Sequence, residues 1–380
     1  MQQVTWAPKP APNPLSPQTR TSTHAGTQRC FALGQHLFCT ALFSFPRPRF
    51  CRITYTMIPL WIDCDPGQDD VVAITLGAHN AHFDLVGVST VHGNASIENV
   101  TMNALKFLTV IKREDVPVFP GAARPLDRDP EYCPEVHGPT GLNGSDKLPV
   151  PKIAARQPEE FFPYLKNLIE TRPGELALAA IGPLTNICLF FKEYPELRSK
   201  IRCLSIMGGG LVKFNKNGCS EFNVYCDPKA AKSVLSDPVL SERMILAPLD
   251  LTSTIRASFE IRQRIQGNPA TATEFRKMMY DLVQYFYHMV KARQGEGYVG
   301  PSVHDPVAIA AILQYCGAED VGYKWKTGHL DVHLGGDEDG KLEFTEADHG
   351  VKVLYDVNRE VFWNVLLKAY DRVDEKYREK

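Results

Sequence analysis

From Ile58 onward, short apolar runs alternate with stretches of helical spacing, and no feature of the chain constrains its fold more. Ile58–Cys64 (IPLWIDC) reads as a buried strand. A Pro66-Gly67 turn follows, and Asp69-Asp70 open a helix with apolar residues at Val71, Val72, Ile74 and Leu76. The same pattern returns as a strand over 85–91 and a helix over 97–112. It returns again as a strand over 176–181, a Gly182-Pro183 turn and a helix over 185–192. Residues 201–207 and Met244–Ala247 read as strands, with a helix opened by Pro228 between them. Residues 272–293 and 304–314 read as helices, 329–357 as strands joined by a turn over 335–340, and 360–376 as a final amphipathic helix. Strands that alternate with helices need crossover connections, so the expected class is α/β with a mainly parallel sheet. Residues 57–380 show no linker and no internal repeat, and are expected to form one domain.

Charge is unevenly spread. The chain holds 42 basic and 44 acidic residues, yet no Asp or Glu precedes Asp63. Six basic residues lie in 1–56 (Lys9, Arg20, Arg29, Arg47, Arg49 and Arg52), which leaves 36 basic against 44 acidic residues beyond. An acidic body does not suit a phosphate backbone, so no nucleic-acid partner is expected. No apolar run has the roughly 18 residues that a membrane-spanning helix needs. Ten cysteines without a C-x-x-C pair read as reduced thiols.

Residues 1–56 are rich in Pro, Ser, Thr, Gln and Arg, and read as disordered. The reading favoured for them is an upstream extension before a true start at Met57, which places the protein in the cytoplasm. The alternatives are a mitochondrial transit peptide or a weak secretory segment over 30–45.

Ligands of parallel sheets sit beyond the carboxyl ends of the strands. The first strand delivers Asp63, Asp65, Asp69 and Asp70 within eight residues, D-C-D-P-G-Q-D-D. Four carboxylates so close repel one another unless a cation holds them, and all-oxygen ligands favour Ca²⁺ or Mg²⁺. Helix capping alone explains one or two of the acids. Other strand ends are weaker signals. Asn94 in H-G-N reads as a ligand or a turn residue, and Gly208-Gly209-Gly210 as a close approach to a ligand or a flexible loop. Ser220-Glu221-Phe222-Asn223 reads as a set of sugar contacts or an ordinary strand edge. His304-Asp305 opens a helix, either as a cap or as a proton donor beside a metal ligand.

Together these segments resemble the inosine–uridine-preferring nucleoside hydrolase family, and most closely its eukaryotic uridine nucleosidase branch. The match comprises D-C-D-P-G-Q-D-D at 63–70, V-H-G-N ending at Asn94, H-G-P-T-G at 137–141 and G-P-L-T-N at 182–186. It continues with M-G-G-G at 207–210, E-F-N at 221–223 and V-H-D-P at 303–306. The resemblance implies an open, mainly parallel, Rossmann-like sheet flanked by helices and one Ca²⁺ per subunit. Asp65, Asp70, Asp305 and the carbonyl of Ile181 would bind the ion, with Asp63 supporting them from behind. Asp69, Asn215, Glu221 and Asn223 would hold the ribose hydroxyls, Met207 would line the ribose pocket, and Asn94 would sit beside water and base. His137, Phe222 and His304 would surround the base.

The implied reaction is hydrolysis of a ribonucleoside to free base and ribose, in salvage. Asp65 would act as general base, His304 would give the departing base a proton or hydrogen bond, and the ribosyl group would pass through an oxocarbenium-like state. The resemblance also implies a homodimer or homotetramer. Two departures stand out: His92, where an apolar residue is common and base preference would shift, and Tyr298 in the Gly-rich segment 294–302, a candidate lid residue. Rival readings are a non-catalytic nucleoside- or ribose-binding protein and a metal-dependent phosphohydrolase. The second lacks a basic residue within any of the motifs.

Overall fold

In the computed structural model, residues 57–295 and 297–379 are described, so the readings placed on 1–56 lie outside the described residues. Nine strands form one sheet: β1 (Ile58–Cys64), β2 (Phe83–Thr90), β3 (Val118–Pro120), β4 (Ala177–Ala180), β5 (Cys203–Met207), β6 (Met244–Ala247), β7 (Lys324–Val332), β8 (Leu342–Glu346) and β9 (Val351–Asp356). Their order is β3-β2-β1-β4-β5-β6-β9-β7-β8. Every neighbouring pair from β3 to β9 is parallel, and β7 is antiparallel to both β9 and β8.

Crossovers and edges are made by helices α1 (Gln68–His79), α2 (Ile97–Val110), α3 (Pro134–His137), α4 (Phe161–Thr171), α5 (Thr185–Glu193), α6 (Phe222–Cys226) and α7 (Pro228–Leu235). They continue as α8 (Pro238–Ser241), α9 (Leu249–Thr252), α10 (Phe259–Gln266), α11 (Glu274–Gln294), α12 (Asp305–Tyr315) and α13 (Arg359–Arg378). The mainly parallel α/β sheet expected from the alternation is therefore present. All these residues belong to one compact unit, Thr54–Lys380. No helix among the described residues is long and apolar enough to cross a membrane.

Strand β1 is buried along its whole length, as a central parallel strand covered on both faces must be. Its side chains alternate between two cores. Leu60 and Ile62 join the core beneath α1, α2, α12 and α13, while Trp61 joins the core beneath α4, α5 and α7. The strand order reverses between β1 and β4, and a crevice forms at such a switch point, outside the carboxyl ends. The residues that leave β1 and β4 there are Asp65 and Ile181.

Several elements escaped the sequence reading. Strand β3 has three residues, too few to show a period. Helix α4 buries Phe161, Leu165 and Ile169 at four-residue spacing yet was not anticipated. The segment Glu221-Phe222-Asn223, read as a sugar-contact loop or strand edge, opens helix α6. The Glu221 side chain caps it by accepting from the amides of Asn223 and Val224. Strand β7 begins at Lys324, ahead of the expected 329.

A buried ion network ties α11 to α13. Arg276 Nε donates to Asp374 at 2.7 Å, its NH2 group donates to Asp371 at 2.6 Å, and NH1 donates to the carbonyls of Arg264 and Ile265. Replacing Arg276 with Ala strands Asp374 as an unpaired buried charge, which costs about 3–5 kcal/mol. Urea denaturation of Arg276→Ala is expected to show that loss with an unchanged m-value.

Candidate active site

The turn after β1 is built by the acids themselves. Asp70 Oδ2 accepts from the Gly67 amide at 2.9 Å and Oδ1 from the Asp65 amide at 3.2 Å, which closes the first turn of α1. Asp69 and Asp70 therefore lie at the positive end of that helix. Asp305 is the first residue of α12, which packs against α1. One oxygen from each of Asp69, Asp70 and Asp305 lies within 4.8 Å of the others, and all three residues are buried. Asp65 is held beside them, its Oδ2 accepting from the Asn94 amide at 2.7 Å. The expected trio was Asp65, Asp70 and Asp305; the tightest grouping contains Asp69 in place of Asp65.

Burial pushes Asp65 and Asp305 well above the usual carboxylate range, reinforced by the neighbouring charges of Asp70 and Asp69 respectively. Asp70 is raised to about 7 by burial and then by Asp69. Among the described residues no Lys or Arg bonds to any of these acids. With no cation between them, the Asp70 and Asp305 carboxyls face each other across less than 4.8 Å, and the charge of each disfavours ionisation of the other. A set of buried, mutually repelling oxygen donors fits a hard divalent cation. Asp63 stays out of the crevice behind β1. Its Oδ1 accepts from Ser89 at 2.5 Å and Asn186 at 2.7 Å, and burial raises its carboxyl to about 7.

Polar groups face the acids from β4, β5 and α6. Asn223 Nδ2 donates to the carbonyls of Ile181 at 3.0 Å and Met207 at 3.1 Å. Glu221 Oε2 accepts from the Gly209 amide at 2.7 Å, and burial raises that carboxyl to about 7. Asn215 sits on the loop after Gly210. That loop is pinned by the Asp250 carboxylate, which accepts from the amides of Leu211, Val212 and Lys213 at 2.7, 2.8 and 3.1 Å.

An aromatic and imidazole wall closes the other side. His137 Nδ1 meets Gln68 Oε1 at 2.6 Å, and its ring stacks on Phe286 at 5.8 Å. His304 donates its amide to Asp69 at 3.3 Å, and its Nδ1 meets Thr252 Oγ1 at 2.9 Å. Burial lowers the basicity of both rings.

One cavity of about 260 Å³ gathers Asp65, Asp69, Asn94, His137, Ile181, Met207, Asn215, Glu221, Phe222, Asn223, His304 and Asp305. Asp70 is fully buried and does not line it. Residues 60–364 match the profile of a family described as inosine-uridine preferring nucleoside hydrolase. The uridine nucleosidase of Saccharomyces cerevisiae is 36% identical over 338 residues, covering 85% of this chain and 98% of its own.

The chain belongs to the inosine-uridine preferring nucleoside hydrolase family.

This nucleoside hydrolase is also 34% identical over 259 residues to the pyrimidine-specific ribonucleoside hydrolase RihA of Salmonella enteritidis, covering 68% of this chain and 80% of RihA. Its fold is shared by a purine-preferring ribonucleoside hydrolase from Gardnerella vaginalis, with TM-score 0.74, 22% identity and coverage of 83% and 98%. A plant nucleoside hydrolase shares it too, with TM-score 0.72, 24% identity and coverage of 84% and 99%. The protein is an N-ribohydrolase by family.

The hydrolase places two singled-out residues elsewhere. His92 does not line the cavity; its Nε2 meets Thr185 Oγ1 at 3.0 Å beneath the sheet end, so it has no direct contact through which to choose a base. Tyr298 is buried rather than exposed on a loop. It stacks on Tyr287 at 5.6 Å, lies 5.8 Å from Arg256, and lines an adjoining cavity of about 560 Å³ that shares His304 and Phe286 with the first.

Other cavity residues carried no sequence signal: Cys133, Glu135, Val136, Lys216, Leu249, Phe286 and Arg293. Lys216 and Arg293, both outside the motifs, bring basic side chains to the cavity, and Lys216 is engaged by Glu131 at 2.9 Å. Gln68 was within reach of the reading, since it lies inside the acid motif and fixes His137.

Gly93 shows how tightly the loops close. A Cβ there would lie 2.1 Å from Asp65 Oδ2. Gly93→Ala is therefore expected to displace Asp65, and a misplacement of about 1 Å costs about 10²-fold in rate. A steady-state assay should show the fall in kcat with the fold intact by circular dichroism.

Proposed function

We propose that this hydrolase cleaves the N-glycosidic bond of ribonucleosides, uridine foremost, in a Ca²⁺-dependent reaction of nucleoside salvage. The observation that carries the reading is the meeting of a buried, all-oxygen acid cluster with ribose-type polar groups and two imidazoles in one cavity. The likeness to a uridine nucleosidase over nearly its full length favours uridine.

Asp65, Asp70, Asp305 and the Ile181 carbonyl would hold the ion, with Asp69 close enough to join them. When bound, a divalent cation supplies Lewis acidity that makes water more acidic. Asp65, steadied by the Asn94 amide, takes the proton from the attacking water. Asp69, Asn215, Glu221 and Asn223 bind the ribose hydroxyls, and Met207 packs beneath the sugar. Positive charge develops on the ribosyl carbon as the bond to the base breaks, and a pocket of carboxylates stabilises it. His137 and Phe222 flank the base, and His304 offers it a hydrogen bond as it leaves. A homo-oligomer, dimer or tetramer, in the cytoplasm completes the proposal; the first is supported by the family resemblance alone, the second by the reading that synthesis starts at Met57.

The test is release of reducing sugar from uridine, inosine and cytidine, with chelator and with Ca²⁺ restored. Ribose released only with Ca²⁺, fastest from uridine, is the expected result. Binding without turnover would favour the nucleoside-binding reading, and phosphate release from a phosphoester would favour the phosphohydrolase. Equal rates in chelator would defeat the metal assignment.

A further inference from the structure

Thr252 lies outside every motif that the sequence offers, yet its hydroxyl is the only polar group bonded to the ring of His304 among the described residues. The threonine is fully buried at the end of α9. That short helix is anchored twice to the loop after β5: the Leu249 amide donates to the Gly209 carbonyl at 2.8 Å, and Asp250 grips the amides of 211–213. From the other side, the Val303 amide donates to the Ile255 carbonyl at 2.9 Å and fixes the backbone just ahead of His304. The distance of 2.9 Å between Thr252 Oγ1 and His304 Nδ1 is thus set by two anchored segments.

We propose that Thr252 is a positioning residue that holds neutral His304 in the tautomer with its Nε2–H directed at the departing base. This rests on the reading that His304 serves the leaving group. The direction of the bond follows from a count of donors and acceptors. A threonine hydroxyl has one hydrogen to donate. Oγ1 of Thr252 has no other hydrogen-bond partner among the described residues. If His304 Nδ1–H donated to Oγ1, the buried hydroxyl hydrogen would find no acceptor, and a buried unsatisfied donor is costly. If the hydroxyl donates to Nδ1 instead, both atoms are satisfied and the ring proton resides on Nε2, in a ring that lines the cavity.

In hydrolysis, the C1′–N bond breaks with its electron pair passing to the base nitrogen, while water oxygen bonds to C1′. The Nε2–H hydrogen bond stabilises that pair. The proton lost by water balances the one the free base gains, and His304 ends unchanged. A leaving group that is stable as an anion has no use for this bond.

The experiment compares Thr252→Val, Thr252→Ser and His304→Ala on uridine and on 4-nitrophenyl riboside, whose phenolate departs unaided. Thr252→Val is expected to lower kcat on uridine about tenfold, the worth of one hydrogen bond, with KM unchanged. Its rate on the nitrophenyl riboside should stay near wild type, and Thr252→Ser should restore uridine hydrolysis. Nitrogen-labelled histidine should show His304 Nδ1 unprotonated in the wild type by magnetic resonance. Equal losses on both substrates, full activity on uridine, or a protonated Nδ1 in the neutral ring would overturn the proposal. If His304→Ala slows uridine hydrolysis and Thr252→Val does not, the role of Thr252 fails alone. If His304→Ala leaves uridine hydrolysis intact, the reading of His304 itself fails.

Discussion

Asp65→Asn is expected to lower kcat on uridine by about 10²–10⁴-fold, the usual worth of a positioned general base. The amide keeps the volume and still accepts the Asn94 amide hydrogen bond, so the local turn should survive. It cannot take a proton from water, and it carries no charge for a cation or for the developing positive ribosyl carbon. The loss should therefore fall on kcat more than on KM, because the missing interactions strengthen only in the transition state. Steady-state kinetics with saturating Ca²⁺ provide the measurement. A variant within threefold of wild type would remove Asp65 from the chemistry.

The second large effect is on stability. In the metal-free protein, Asp70 is raised from 3.8 to about 7, and Asp65 and Asp305 lie well above the same starting value. A carboxyl whose folded pKa exceeds its unfolded one contributes full stability below the unfolded value and loses it as pH rises through the folded value. Buried His79 and His92, lowered from 6.5 to about 4, act in the opposite sense, and only below 6.5. Between about pH 6.5 and pH 8 the carboxyls therefore dominate, and the melting temperature of chelator-treated protein should fall.

Under the proposed calcium dependence, the ion is expected to replace the protons and reverse that fall. At a hundredfold excess over Kd its stabilisation is about 2.7 kcal/mol, and its affinity should rise with pH because the ligands must be deprotonated. Asp70→Asn should abolish the calcium-dependent rise, and its amide keeps only one of the two oxygens that close the turn. Differential scanning calorimetry at both pH values reads all of these. A metal-free melting temperature that climbs with pH across this window would contradict the burial of these acids as free carboxyls.

Activity and metal-free stability thus pull in opposite directions at one place. Four buried acids with no basic partner destabilise the free fold, and such destabilisation persists only where the arrangement serves another end. The cation is what reconciles them, since it satisfies the oxygens that repel one another.

The acid motif was legible because its parts are close in sequence. Strand β1, its turn and the first helical turn fall within 58–70, and the Asp70 carboxylate bonds the amides of Asp65 and Gly67 only five and three residues away. Period and turn chemistry suffice at that range, as they did for the alternation that predicts a parallel sheet. Family resemblance supplied the remaining roles. The sequence alone did not reveal the Thr252–His304 bond across 52 residues, the Asn223–Ile181 bond across 42, or the arrival of Lys216, Phe286 and Arg293 at the same cavity. The grouping of Asp69 and Asp70 with Asp305, 235 residues away from Asp70, likewise depends on the packing of α12 on α1. Such pairings are set by where loops leave the sheet and how helices pack on it. Those are properties of the whole core, to which no local spacing of residues corresponds.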